Sequence, residues 1–214
     1  MEIVTIHDYW SLILKSQDTP YVGIIVKIPP RFWREIESVQ SELRSVDQRQ
    51  IYSYPSTLRI TVKGIGVLDE EKLDWSKLES IFARIKNVVS EFRPFEISLR
   101  GLGIFPTSIH VKVLDPTNQL QMMNKRLSEE LAGQVDTSAY DGETYIPHVT
   151  IASFNTKDVD DLIERVNSRE LKDRDFGSTM VFEAEADEVK MFMAFREGEA
   201  QQRAFGYIRS FHLG

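Results

Sequence analysis

Two short runs carry side chains that suit a phosphate group. HVTIA begins at His148 and RITVK begins at Arg59. Each reads as a cation-capable residue, an apolar residue, a threonine and another apolar residue. Residues two apart in a strand share a face. His148 and Thr150 therefore point one way, as do Arg59, Thr61 and Lys63, with Ile60 and Val62 behind them. Imidazole exchanges protons near neutral pH. Guanidinium, ammonium and hydroxyl groups all donate hydrogen bonds to phosphoryl oxygens. Neither run is decisive alone, because threonine is a good strand former and a strand histidine more often packs or meets solvent. The repetition raises the value of both.

The elements around the two runs repeat as well. YVGIIVKI, from Tyr21, is a buried-strand pattern stopped by Pro29 and Pro30. Phe32, Ile36, Val39, Leu43 and Val46 then form one face of an amphipathic helix, and Ser56 to Lys63 alternates as a strand. In the second pass IHVKVL, from Ile109, is a strand. Pro116 and Thr117 open a helix carrying Leu120, Met123, Leu127 and Leu131, and Gly133 stops it. A polar loop, Gln134 to Thr144, leads into YIPHVTIASF. Between the passes Asp74 caps a helix bearing Leu78, Ile81, Phe82, Ile85 and Val89, and Phe95, Ile97 and Leu99 alternate until Gly101 and Gly103 break the pattern as turn residues. A further helix is expected from Thr156, then two or three strands from about Thr179, with Val189, Met191 and Met193 alternating. Two similar passes predict an α+β fold: one domain over 1–214, built of two pseudo-twofold-related lobes whose small sheets line a central cleft.

Composition narrows the chemistry. The 214 residues include no cysteine, which excludes a disulfide scaffold, a thiol nucleophile and a Cys-ligated zinc site. A net charge of −7 argues against wrapping a long nucleic acid, although a local cation cluster still suits a small phosphate ligand. No run of apolar residues is long enough to span a bilayer and no signal peptide is evident, so a cytoplasmic protein is expected, and a monomer. No His/Asp/Glu set has metal-ligand spacing, and neither a Walker motif nor a GxSxG elbow occurs; no metal and no cofactor are expected.

With these motifs in view, the chain resembles the two-histidine (2H) phosphoesterase superfamily, which includes 2′-5′ RNA ligase-like proteins and cyclic nucleotide phosphodiesterases. PHVTIA matches the second family motif at His148 and Thr150. STLRITVKGIG matches the surroundings of the first, including Thr61, and YVGIIVKIPP, LGIFPTSIHVKV and the closing VKMFMAF through YIRSFHL resemble the strands around them. The resemblance implies the bilobal 2H fold. It also implies phosphodiester chemistry on nucleotides or RNA ends, such as 2′,3′-cyclic phosphates. One histidine would remove a proton, the other would donate one, and the two threonines would hold phosphoryl oxygens.

The departure is Arg59, which stands where the family has its first histidine. Arginine stays protonated, so it is neither a base nor a useful acid at pH 7, but it grips phosphate and stabilises developing charge. Losing one general acid or base costs about 100- to 10,000-fold in rate. Two readings follow. One is an enzyme in which His148, Thr150 and Thr61 are catalytic and Arg59 stabilises charge. The other is a degenerate module that binds nucleotides or RNA ends without turnover. An interaction domain with an empty cleft is a blander third. Lys63 is a further phosphate contact, and Tyr54 and Tyr145, which flank the motif strands, are candidates to stack on a base. Among the other histidines His110 is the best stand-in for the missing one, though solvent exposure is the expected place for its face. His7 and His212 are expected to be structural or exposed.

Overall fold

The computed structural model describes residues 1–12, 20–68, 73–135, 141–192 and 202–214, with side chains left out over 187–192 and 202–206. Among the described residues nine strands form one antiparallel sheet. They are β1 (Tyr21–Lys27), β2 (Ile51–Tyr52), β3 (Arg59–Val67), β4 (Phe95–Phe105), β5 (Ser108–Leu114), β6 (His148–Ser153), β7 (Asp175–Val181), β8 (Glu183–Phe192) and β9 (Gln202–His212). Their order is β7-β4-β5-β6-β3-β1-β8-β9, with β2 on β6. The sheet divides into two four-stranded halves. The motif strands β3 and β6 meet at the middle, joined by the single registered pair Ile60–Val149. The small sheets expected for the two lobes thus touch edge to edge.

Helices α2 (Trp33–Val46), α3 (Trp75–Val89), α4 (Gln119–Glu130) and α5 (Asp160–Val166) pack against this sheet. The apolar spacing of each supplies the buried stripe: Ile36, Val39 and Leu43 on α2, Leu78, Ile81, Phe82 and Ile85 on α3, and Leu120, Met123 and Leu127 on α4. Each fully buried side chain of this size stabilises by about 1.5–3 kcal/mol. Ile24, Ile60, Val62, Ile109, Val149 and Ile151 meet them from the strands. The helices cross over. α2 follows β1 yet packs on β6 of the other half, and α4 follows β5 yet packs on β3. Each half therefore braces the other's motif strand.

Several expected boundaries shift. Val46 is exposed and Gln40 takes a place on the buried face of α2. Asp115, rather than Thr117, satisfies the start of α4: its carboxylate accepts from Leu120 N at 2.7 Å. The helix expected from Thr156 begins at Asp160, because the Thr156 hydroxyl is taken by Gln50 and the Asp158 carbonyl. Gly101 and Gly103 are not turn residues. Both lie inside β4, where Gly101 sits at a bulge and Gly103 faces His110 across the ladder. Two short helices, α1 (Ile6–Ser11) and α6 (Arg169–Lys172), have no sequence counterpart above. The loop expected over Gln134 to Thr144 lies partly outside the described residues, as do Met193 and the side chains of Val189 and Met191. No helix among the described residues is long and apolar enough to cross a membrane.

Candidate functional site

Register builds the site. Around the Ile60–Val149 pair the antiparallel ladder sets His148 beside Thr61 and Arg59 beside Thr150. All four side chains line one cleft of about 700 Å³. That volume suits a nucleotide-sized ligand. The expected grouping of these four residues on one wall is therefore what the fold provides.

Lys63 lines the same cleft but does not continue the row of Arg59 and Thr61. In the β1–β3 ladder Ile25 pairs with Thr61 but Ile24 pairs with Lys63, so Val62 is an extra residue on β3. A bulge of this kind breaks the period of two. Gly64 takes the next place in that row, opposite Gly23, and the Lys63 side chain has no exposed surface. Its fully buried ammonium forms an ion pair with Asp141. The second half carries the same bulge at the same place. Ile109 pairs with Ala152 and His110 with Thr150, so Ile151 is the extra residue on β6.

One buried carboxamide from each crossing helix holds each bulge. Gln40 on α2 donates to Ile151 O at 2.7 Å and to Ser53 O at 2.8 Å. Asn124 on α4 donates to Val62 O at 2.7 Å and to Asp141 Oδ1 at 3.2 Å, and its own oxygen accepts from Gly142 N at 2.6 Å. The threonine carbonyls are also held crosswise. Ser53 Oγ donates to Thr150 O, and Tyr145 Oη donates to Thr61 O, both at 3.0 Å. Tyr145 also lines the cleft. Its ring is buried and its phenol is driven well above the usual range by that burial, so its hydroxyl positions the Thr61 backbone. Tyr54 is 64% exposed and is not among the residues lining the cleft.

His148 is half-buried, and its Nδ1 lies 2.8 Å from Ile146 O. A carbonyl can only accept, so Nδ1 carries the proton and Nε2 is left as the basic nitrogen. Burial lowers the pKa of the ring, against the opposing pull of the Ile146 carbonyl, and the imidazole is neutral at pH 7. Phe105 meets the ring edge-on at 4.8 Å, and His110 lies 5.4 Å from it.

His110 corrects an expectation. It is 4% exposed, on the cleft face of β5 but roofed by Phe105, which stacks on it at 4.0 Å. Its Nδ1 has no hydrogen-bond partner. Burial, reinforced by the charges of His148 and Lys112, pushes its pKa down to about 3. Gly103 makes room for it, since a Cβ there would fall 2.4 Å from the His110 Nε2. His7 is exposed, and His212 is exposed beside Glu183. Among the described residues no group of three or more His, Asp or Glu is placed to hold a metal.

A third wall comes from the N-terminal segment. Glu2, Val4, Ile6, Tyr9 and Trp10 line the cleft together with Tyr21 of β1. No motif marks these aromatics; only tertiary packing brings them beside the motif strands.

Comparison with known proteins agrees with this architecture. The chain is 28% identical over 176 residues to an RNA 2′,3′-cyclic phosphodiesterase of Methanocaldococcus jannaschii, covering 79% of this chain and 88% of the relative. It is 28% identical over 158 residues to a protein of the same name from Methanothermobacter thermautotrophicus, covering 69% and 78%. Among solved structures, Escherichia coli LigT complexed with 3′-AMP superposes with a TM-score of 0.67 at 12% identity, covering 91% of this chain and 98% of that one. A Thermus thermophilus protein superposes with a TM-score of 0.65 at 18% identity, covering 90% and 97%. The family model of the 2′-5′ RNA ligase superfamily matches residues 28–182. Spanning both motif strands and most of the sheet, that match makes the chain a member of the 2′-5′ RNA ligase superfamily.

Proposed function

We propose that this protein hydrolyses 2′,3′-cyclic phosphates of nucleotides or RNA ends with one histidine in place of two. The observation that carries this reading is the neutral His148, its Nδ1 fixed on Ile146 O and its ring in the wall shared with Thr150, Thr61 and Arg59. The names of the archaeal relatives, and the nucleotide in the LigT structure, support the substrate class.

In this mechanism the phosphoryl group sits between the motif strands, where the two threonine hydroxyls donate to its oxygens. His148 Nε2 takes a proton from water as the water oxygen attacks phosphorus. The bond from phosphorus to one ribose oxygen breaks in line with that attack. Arg59 stabilises the charge that gathers on the phosphoryl and departing oxygens. The departing oxygen takes a proton from solvent, and His148 returns its own to solvent, so one water is consumed and a phosphomonoester is formed. Without a second titrating group the rate rises with pH through the lowered His148 pKa and then stays level.

Arg59 itself favours the second reading, a nucleotide-binding module without turnover, because its guanidinium moves no protons. Hydrolysis of 2′,3′-cyclic AMP by the purified protein, beside His148→Ala, separates the two. Turnover that the substitution abolishes supports the enzyme. Saturable binding with no turnover in the wild type supports the module.

A further inference from the structure

We propose that the segment Glu2 to Trp10 is the nucleobase-recognition wall of this cleft, with Trp10 as the stacking surface. The inference rests on the nucleotide reading above and names the part of the substrate that the motif strands leave unrecognised.

The segment is tied to both halves of the sheet. Val4 N donates to Pro106 O at 2.9 Å, and Ile6 N donates to Phe154 O at 2.7 Å; both acceptors lie beyond strand ends of the His148 half. Thr5 then caps α1, accepting from Asp8 N at 3.1 Å, and Ile6 is buried. On the other side Trp10 and Tyr21 of β1 form a T-shaped pair, centroids 5.4 Å apart, and Tyr9 meets Trp10 in another at 5.6 Å. Glu2, Val4, Ile6, Tyr9 and Trp10 all line the same cleft as Arg59 and His148. An aromatic group therefore shares one cavity with the phosphate-directed side chains.

The spacing fits one nucleotide. Tyr21, Gly23 and Ile25 line the cleft from β1, and Ile25 is opposite Thr61. Ile25 lies four positions along the strand from Tyr21, about 13 Å at the usual rise. The Tyr21 ring leans back over this distance, because a Cβ on Gly64 would fall 2.0 Å from the Tyr21 hydroxyl. A phosphate between the threonines thus places a ribose along Ile25 and Gly23 and a base at the aromatic group. Aromatic stacking tolerates every base, so the wall selects for a base without reading its identity. The arm lies outside the span 28–182 that matches the family model, so chemistry and base recognition reside in different parts of the chain.

The test compares two ligands by titration calorimetry: adenosine 2′-monophosphate and the base-free 1-O-methylribose 2-phosphate. Stacking on one aromatic surface predicts that the wild type prefers the nucleotide by about 5- to 100-fold. Trp10→Ala closes that ratio towards one, and Trp10→Phe, which keeps a ring, retains a ratio above about 3. Thermal melts of both variants establish that they are folded, and the Phe variant serves if the Ala variant is not. A wild type that binds both ligands alike overturns the proposal, as does a folded Trp10→Ala that keeps the full ratio. If neither ligand binds the wild type, the phosphate site fails first and the base wall falls with it. That outcome is distinct from phosphate binding that ignores the base.

Discussion

The half of the sheet built on β3 and the half built on β6 are alike in backbone and unlike in chemistry. Both carry a threonine two residues after the motif position, a bulge one residue later, and a carboxamide reaching across to the bulged carbonyl. Around that shared frame the side chains diverge. Arg59 stands opposite His148, and Ile25 occupies the register place that His110 takes in the other half, each opposite its threonine. The frame places two hydroxyls and two cation-capable groups about a central point. What those groups can do there is set separately in each half. The base His148 is set up by an orienting carbonyl and a partly desolvated pocket, which its half supplies in Ile146 O, Phe105 and His110. A fixed positive charge needs none of these.

If that division is real, the halves cannot trade roles. The double variant Arg59→His/His148→Arg has the same composition and should lose about 100- to 10,000-fold in turnover of 2′,3′-cyclic AMP, the range expected for losing a general base. The histidine would lack the Ile146 contact, and the arginine would press a charge against the buried His110. Retention of wild-type kcat in the exchanged protein would show the halves to be interchangeable and remove the orienting role of Ile146.

Arg59→His alone sharpens the comparison from the other side. It restores a titrating group opposite His148 and should raise kcat by roughly 10- to 100-fold, within the span ascribed to one acid or base. The form of the pH profile is the stronger readout. In the wild type His148, its pKa lowered by burial, is the base, giving a single rising limb below pH 6.5. A second histidine acting as an acid adds a falling limb and makes the profile bell-shaped. A variant that remains single-limbed would mean that position 59 does not meet the departing oxygen.

The frame itself should fail unequally. Gln40→Leu removes the donor to Ile151 O and Ser53 O, whereas Asn124→Leu removes the donor to Val62 O and to Asp141, and the acceptor of Gly142 N, beside the buried Lys63. Leaving buried polar groups unsatisfied costs about 1–3 kcal/mol each. Urea unfolding should place Asn124→Leu below Gln40→Leu by at least 1 kcal/mol. Equal losses would mean that the Lys63–Asp141 pair holds without the carboxamide.

The sequence showed the frame's outline and concealed its fastenings. Hydrophobic spacing located the strands of both passes, and HVTIA against RITVK located the paired motif positions. Lys63 lines the cleft but is buried against Asp141 outside the row of Arg59 and Thr61, because a bulge adds one residue and nothing in RITVKGIG says where a period of two will break. His110 was expected at the surface because its burial depends on Phe105 and on the space left by Gly103, neither of which is local to it. Gln40 sat among helix-surface residues by type, although it lies one residue from Val39 on the buried stripe. Trp10 and Tyr21 meet only through the fold, so no spacing could join them.

The smallest expected effect concerns the one place where the second half is the costlier. A neutral imidazole held at about pKa 3, against 6.5 for the free side chain, binds fewer protons folded than unfolded between those values. Its contribution to stability is therefore full above pH 6.5 and declines as the pH falls towards 3, by up to about 1.4 kcal/mol per pH unit. His110→Ile copies Ile25 from the first half and removes the group. The variant should match or exceed the wild type at pH 7, because the orphaned Nδ1 is gone. Carboxylates shared by both proteins still weaken each at low pH, so the informative quantity is the difference between them. That difference should grow in favour of His110→Ile from pH 6.5 down to pH 4 in chemical denaturation. Parallel curves would mean that His110 accepts its proton without leaving the fold, and the roof of Phe105 would then have to open to admit it.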